Sequence, residues 1–138
     1  MSKKQELLEA MNEDLNLELE AVLRHVYYAA TATGLLGHEL REVLKKGAAD
    51  ELGHAAFLAD KIAVLGGEVR VDVKMPKKVK SAKEMLEIEI AAEHKMVANY
   101  SQRIEQAEEA GETGLVIRLE GMLSEETDHA EDLQRLAR

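Results

Sequence analysis

Apolar residues recur along this chain in steps of three and four, the spacing of one helix face, in four separate stretches. The first runs from about residue 4 to 32, with Leu8, Met11, Leu15, Glu18, Val22, His25 and Ala29 on one stripe. The second, about 38–65, aligns Leu40, Leu44, Gly47, Glu51, His54 and Leu58 and ends at the pair Gly66-Gly67. The third, about 81–110, opens with Ser81 and Glu84 at capping-box spacing and aligns Leu86, Glu89, Glu93, Met96 and Tyr100. The fourth, about 114–137, gives Leu115, Leu119, Met122, Glu126, His129, Leu133 and Leu136 without a break.

The connections set the topology. "TGLLG", Thr33 to Gly37, and the turn near Gly111 are short enough to force antiparallel neighbours. Gly67 to Lys80 is longer, alternates apolar and polar residues and holds the sole proline, Pro76. A helix of 28 residues is about 42 Å long, and fourteen extended residues at about 3.3 Å each can just cross it. The segment therefore reads as a crossover that sets the third helix parallel to the second. The fold expected is all-α, a single domain over residues 1–138, with an up-down-down-up order.

Each stripe is apolar except near its middle, where carboxylates and histidines stand. These polar positions repeat: Glu18 to Glu93, Glu51 to Glu126 and His54 to His129 are each 75 residues apart. With the halves related by a pseudo-twofold, all six side chains would meet at one level of the core. Either Glu-x-x-His alone could be a surface pair or a satisfied polar contact. Two, matched by upstream glutamates and all on core stripes, are hard to attribute to chance.

Composition narrows the chemistry. Aromatics are 3% of the chain, so the core must be aliphatic, and there is no cysteine, which excludes disulfides, thiolate metal sites and cysteine catalysis. The charged N-terminal stretch has no apolar h-region, and nowhere do about 18 apolar residues run together, so a cytoplasmic protein with no membrane span is expected. The formal charge of −9 disfavours nucleic acid as a partner. The exception is "KMPKKVKSAK", with Lys74, Lys77, Lys78, Lys80 and Lys83, which reads as a solvated loop. Four glutamates in one core would repel and protonate unless cations were present. Two divalent metals balance Glu18, Glu51, Glu93 and Glu126, and neutral His54 and His129 complete the coordination without adding charge. Oxygen-rich sites with one imidazole per metal suit iron or manganese better than zinc.

A Glu from each of two helices plus Glu-x-x-His from each of the others is the ferritin-like di-metal carboxylate pattern. "NLELEAVLRHVYYAA", "DELGHA", "EMLEIEIAAEHK" and "SEETDHAEDL" resemble the four helices of bacterioferritin around its ligands, over about Leu7 to Leu136. The resemblance implies Glu51 and Glu126 as bridging ligands, Glu18 and Glu93 as terminal ones, and one histidine on each metal. It implies a pair of Fe(II) ions oxidised by O2 or peroxide, for iron storage or detoxification in a ferritin-like homo-oligomer.

Departures from that pattern matter too. Leu52 stands where bacterioferritins carry a haem-binding methionine, so no haem is expected. His25 replaces the family's tyrosine seven residues after the first ligand, while Tyr100 stands seven after Glu93. His25 reads as a residue supporting the ligands or an added ligand, and Glu89 as a supporting group or a surplus carboxylate. The sequence stops nine residues past His129, without the family's fifth helix, which favours a 12-subunit shell or a dimer over a 24-subunit cage. His38 and His94 are expected to be exposed, and Arg24 and Arg118 to lie at the surface or an interface. The competing functions are a peroxide-reducing di-iron or di-manganese oxidoreductase of the rubrerythrin kind without storage, against which the missing Cys-x-x-Cys counts, and a bundle without catalysis.

Overall fold

The four apolar stripes fold as four α-helices in the computed structural model, which describes residues 1–138: α1 Lys3–Thr31, α2 Gly34–Val64, α3 Ala82–Glu109 and α4 Thr113–Leu136. There is no strand, and no helix is long and apolar enough to cross a membrane. Asp14 on α1 reaches Arg103 on α3 while Arg24 reaches Glu89, so these helices run antiparallel. Asp50 and Phe57 on α2 meet His129 and Arg118 on α4, so that pair is antiparallel too. The expected up-down-down-up order follows.

α2 begins at Gly34, four residues before the position expected from "TGLLG". The reversal is confined to Ala32 and Thr33, because Gly34 takes a φ of 79° that other residues rarely adopt. Gly37 then lies so close to Ala32 that a Cβ would stand 2.8 Å from that residue's carbonyl carbon. On α1 the buried face is wider than one stripe. Leu7, Asp14, Ala21 and Tyr28 are buried, and the expected Leu8 and Val22 are only half-buried, because α1 packs against both α2 and α3.

The crossover is extended but pairs with no strand. Its partners are side chains of α1. Asn12 accepts from the Arg70 N–H at 2.9 Å and donates to the Glu68 carbonyl at 2.9 Å. Asn16 accepts from the Asp72 N–H at 2.6 Å and donates to the Arg70 carbonyl at 2.9 Å, and Glu20 accepts from the Lys74 N–H at 3.1 Å. Four helical residues advance about 6 Å and two extended ones about 6.6 Å, so side chains at 12, 16 and 20 keep step with alternate crossover residues. Further along, the Tyr28 hydroxyl donates to the Lys77 carbonyl at 2.6 Å.

The apolar core is divided. One cluster is built from Leu7, Met11, Leu15, Leu58, Ile62, Met96, Leu115 and Leu119, with Tyr100 and Met122 at its edge. The other holds Tyr28, Leu40, Leu44, Met85, Leu86 and Leu133. Each fully buried leucine contributes about 1.5–3 kcal/mol, so the two clusters hold the bundle from both sides of a polar middle layer.

Candidate metal centre

The middle layer forms because the same register position on every helix is polar. Glu18, Glu51, Glu93 and Glu126 are buried with His54, and His129 is half-buried. Their atoms converge in two overlapping groups, Glu18, Glu51, His54 and Glu126, and Glu51, Glu93, Glu126 and His129. Within each, one ligand atom per residue lies within 4.8 Å of all the others. Glu51 and Glu126 belong to both groups.

Both imidazoles turn Nδ1 inward. Nδ1 of His54 lies 2.7 Å from Glu18 Oε2 and 2.9 Å from Glu126 Oε1, and Nδ1 of His129 lies 3.0 Å from Glu51 Oε1. The outward nitrogens are held across the α2–α4 interface: His54 Nε2 by Glu125 at 2.6 Å, and His129 Nε2 by Asp50 at 2.9 Å. Sequence reasoning missed Asp50 and Glu125, although they too stand 75 residues apart. An orienting carboxylate on the far nitrogen is the usual companion of a metal-binding histidine.

Electrostatically the layer is under stress. Burial, reinforced by Glu126, pushes the Glu93 carboxyl up to about 9, and burial pushes Glu51 up to about 7 despite its contact with His129. Burial likewise raises Glu18 and Glu126. Burial opposes charge on His54, but hydrogen bonds to Glu126 and Glu18 outweigh it and raise the imidazole to about 11. His129 rises to about 10, its contact with Glu51 overcoming burial. Protons thus neutralise this layer. Glu18 Oε1, both oxygens of Glu51, Glu93 Oε2, Glu126 Oε2 and His129 Nδ1 are nevertheless buried without a hydrogen-bond partner. Each such atom costs about 1–3 kcal/mol unless something coordinates it. Lone pairs aimed at a common interior fit a pair of hard or borderline cations.

His25 and Glu89 belong to neither group. Glu89 is buried against Nδ1 of His25 and Nε of Arg24. Burial alone would raise its carboxyl, but those two partners hold it below the usual range. Arg24, expected at the surface or an interface, is half-buried, drawn inward by the buried carboxylate. Gly47 makes room for His25, since a Cβ there would stand 3.3 Å from its ring. Tyr100 is fully buried with its hydroxyl unpartnered, and burial and the nearby Glu18 push the phenol well above its ordinary range. His38 and His94 are exposed, and exposed Arg118 stacks over Phe57 at 4.1 Å. A cavity of about 360 Å³ between α2 and α4 reaches Glu93 and His129, and its lining holds Asp50, Glu125, Asp128 and Asp132 beside Lys46.

A family model for the ferritin-like domain matches residues 8–138. Over the full length of both chains, the protein is 37% identical, with a TM-score of 0.94, to a ferritin-like diiron-carboxylate protein of Bacillus anthracis. It is 25% identical to the bacterioferritin of Desulfovibrio desulfuricans, covering 97% of this chain and 79% of that one, at a TM-score of 0.78. At 19% identity it shares the fold of a dodecameric thioferritin from Bacteroides fragilis, with a TM-score of 0.89 over 97% and 85% of the two chains. No curated protein matches.

Proposed function

The chain belongs to the ferritin-like family, and from that premise we propose that its middle layer binds two ferrous ions and passes their electrons to O2 or peroxide, for iron storage or detoxification in a homo-oligomer. The observation that carries this reading is the sharing of Glu51 and Glu126 between two four-residue groups. These two would be shared between the ions; Glu18 and His54 would complete one position, Glu93 and His129 the other. One imidazole among carboxylates suits iron or manganese, and the diiron-carboxylate relative supports iron.

When bound, the metal pair would supply the two electrons that the oxidant takes up. The protein's own part is positioning. Glu125 and Asp50 hold the outward nitrogen of the two imidazoles so that Nδ1 faces the carboxylates with which it would share a metal ion. The two apolar clusters close the layer above and below, so the carboxylates face each other in a medium where their charge acts strongly. The cavity that His129 lines carries more acids than cations, which raises the local concentration of cations.

Anaerobic Fe(II) titration followed by oxidant, with iron counted per chain after gel filtration, tests the proposal. Retention far above two ions per chain in a large particle is expected for storage. Saturation at two would leave a di-iron oxidoreductase without storage, and no binding at two equivalents would remove the metal centre altogether.

A further inference from the structure

His25 has the setting of the two histidines in the middle layer, yet it lies outside that layer. His54 and His129 each have one ring nitrogen held by a carboxylate and the other turned to the layer. In His25 the held nitrogen is Nδ1, against Glu89, which Arg24 holds in turn. Those contacts keep Glu89 ionised, so the neutral imidazole places its proton on Nδ1 and its lone pair on Nε2. A carboxylate on one nitrogen and a lone pair on the other is the usual state of a metal-binding histidine. The side chain is only 3% exposed, and its polar contact runs through Nδ1 alone.

Nε2 faces open space. It lies against Gly47, where a Cβ would stand 3.3 Å from both Nε2 and Cδ2. His25 and Gly47 line the cavity that reaches Glu93 and His129. Glu93 turns Oε1 toward His129 Nδ1 at 3.9 Å, which leaves Oε2 buried without a hydrogen-bond partner. It stands one helical turn from Glu89 on the same face of α3. Lone pairs from two helices therefore share one cavity. Its remaining acids outnumber Lys46, the sole cation there, so its field favours a positive guest. Arg41 and Lys45 line a separate hollow on the other side of His25.

The 75-residue repeat shows the same place built without an opening. His25, Gly47 and Glu89 correspond to Tyr100, Met122 and Asp14. There a phenol and a buried methionine belong to the apolar cluster, and Asp14 is held by Arg103 and Asn99 with no imidazole on it. Space, lone pair and orienting carboxylate occur together at one end of the bundle only.

We propose that His25 Nε2 and Glu93 Oε2 hold a third divalent cation in this cavity. Imidazole with carboxylate suits a first-row ion of the iron, cobalt or zinc kind. Two protein ligands leave the rest of the coordination to water, so this ion binds after the pair in the layer and more weakly. The site goes beyond the two-ion reading but shares Glu93 with it, and the test separates the two.

Crystals of the full chain soaked in millimolar Co(II) and read by anomalous scattering give that test. A third peak is expected at bonding distance from His25 Nε2, about 2.1 Å. Equilibrium dialysis should count one Co(II) per chain beyond the pair. H25Q keeps a donor for Glu89 but offers no imidazole, and should lose the third ion. G47M sets the other half's methionine in the opening, and should lose the third ion while keeping the pair, which also certifies its fold. No peak at Nε2 in the wild type, or a third ion that persists in H25Q, would overturn the proposal. Two peaks in the layer with none at His25 would sink this site alone. A peak at His25 over an empty layer would sink the two-ion reading and leave this site standing.

Discussion

Loading the proposed centre with metal must drive protons out of it, and the structure sets how many. At pH 7 the metal-free layer carries protons on His54, raised to about 11, and on His129, raised to about 10. Glu93, at about 9, is also protonated, and Glu51, at about 7, is half so. All four must lose those protons to serve as ligands, so two divalent ions should release about three to four protons at pH 7. By linkage, the overall constant for binding two ions should rise about a thousandfold or more per pH unit near neutrality. Calorimetric titration with Mn(II), in buffers of different ionisation enthalpy at one pH, counts the protons directly. The E93Q variant should release about one fewer. Release of fewer than one proton per pair of ions, or an affinity flat between pH 6 and 8, would show that protons do not hold the empty layer together.

The same shifts fix how the stability of the metal-free protein varies with pH. The folded state holds protons on Glu51 and Glu93 that the unfolded chain releases above about 4.5, and on both histidines that it releases above about 6.5. Stability should therefore fall as pH rises from about 5 to about 9, seen as a dropping melting temperature, and saturating Mn(II) should abolish the drop. D50N and E125Q should each weaken metal binding about 10–100-fold with little effect on the fold, measured by the same calorimetry. N12A removes two hydrogen bonds to the crossover and should cost about 1–3 kcal/mol in urea unfolding, with faster proteolysis between Gly67 and Lys80.

The helices were legible because their apolar spacing is long and unbroken, and the six polar residues because a 75-residue repeat made them conspicuous. What escaped the sequence depends on partners far along the chain. The start of α2 at Gly34 is decided by the φ of 79° there and by the fit of Gly37 against Ala32. Arg24 read as a surface or interface residue because nothing near it in sequence shows that Glu89, 65 residues on, is buried against it. The crossover alternates like a strand because it is held like one, by asparagines on a helix that no strand pattern would flag. Asp50 and Glu125 obeyed the visible repeat, but each sits beside a more prominent glutamate.

The repeat also shows where the halves differ, and from that follows an inequality between the two metal positions. Asp14 and Glu89 correspond at the 75-residue spacing, and each is a buried acid held by an arginine of the other helix, Arg103 or Arg24. His25 and Tyr100 correspond as well, yet one imidazole is engaged with Glu89 while the phenol hydroxyl has no partner. The mouths differ in the same sense. His129, with a side chain 15% exposed, opens to Glu42, Asp128 and Asp132 with Lys46 as the one cation, whereas His54, at 8%, lies beside Phe57, Met122 and Arg118; Asp50 and Glu125 line both openings. A cation approaching from solvent is drawn more strongly to the first opening than to the second. The Glu93–His129 position should therefore fill first and exchange faster, giving two resolved steps in a Co(II) titration followed by its visible absorption. H129A should abolish the first step and leave the second, and H54A the reverse. The R118E variant, changed at the opening beside His54, should speed the slow step. A single step in the native protein, or equal losses in H129A and H54A, would mean that the pseudo-twofold holds at the centre in spite of its unequal surroundings.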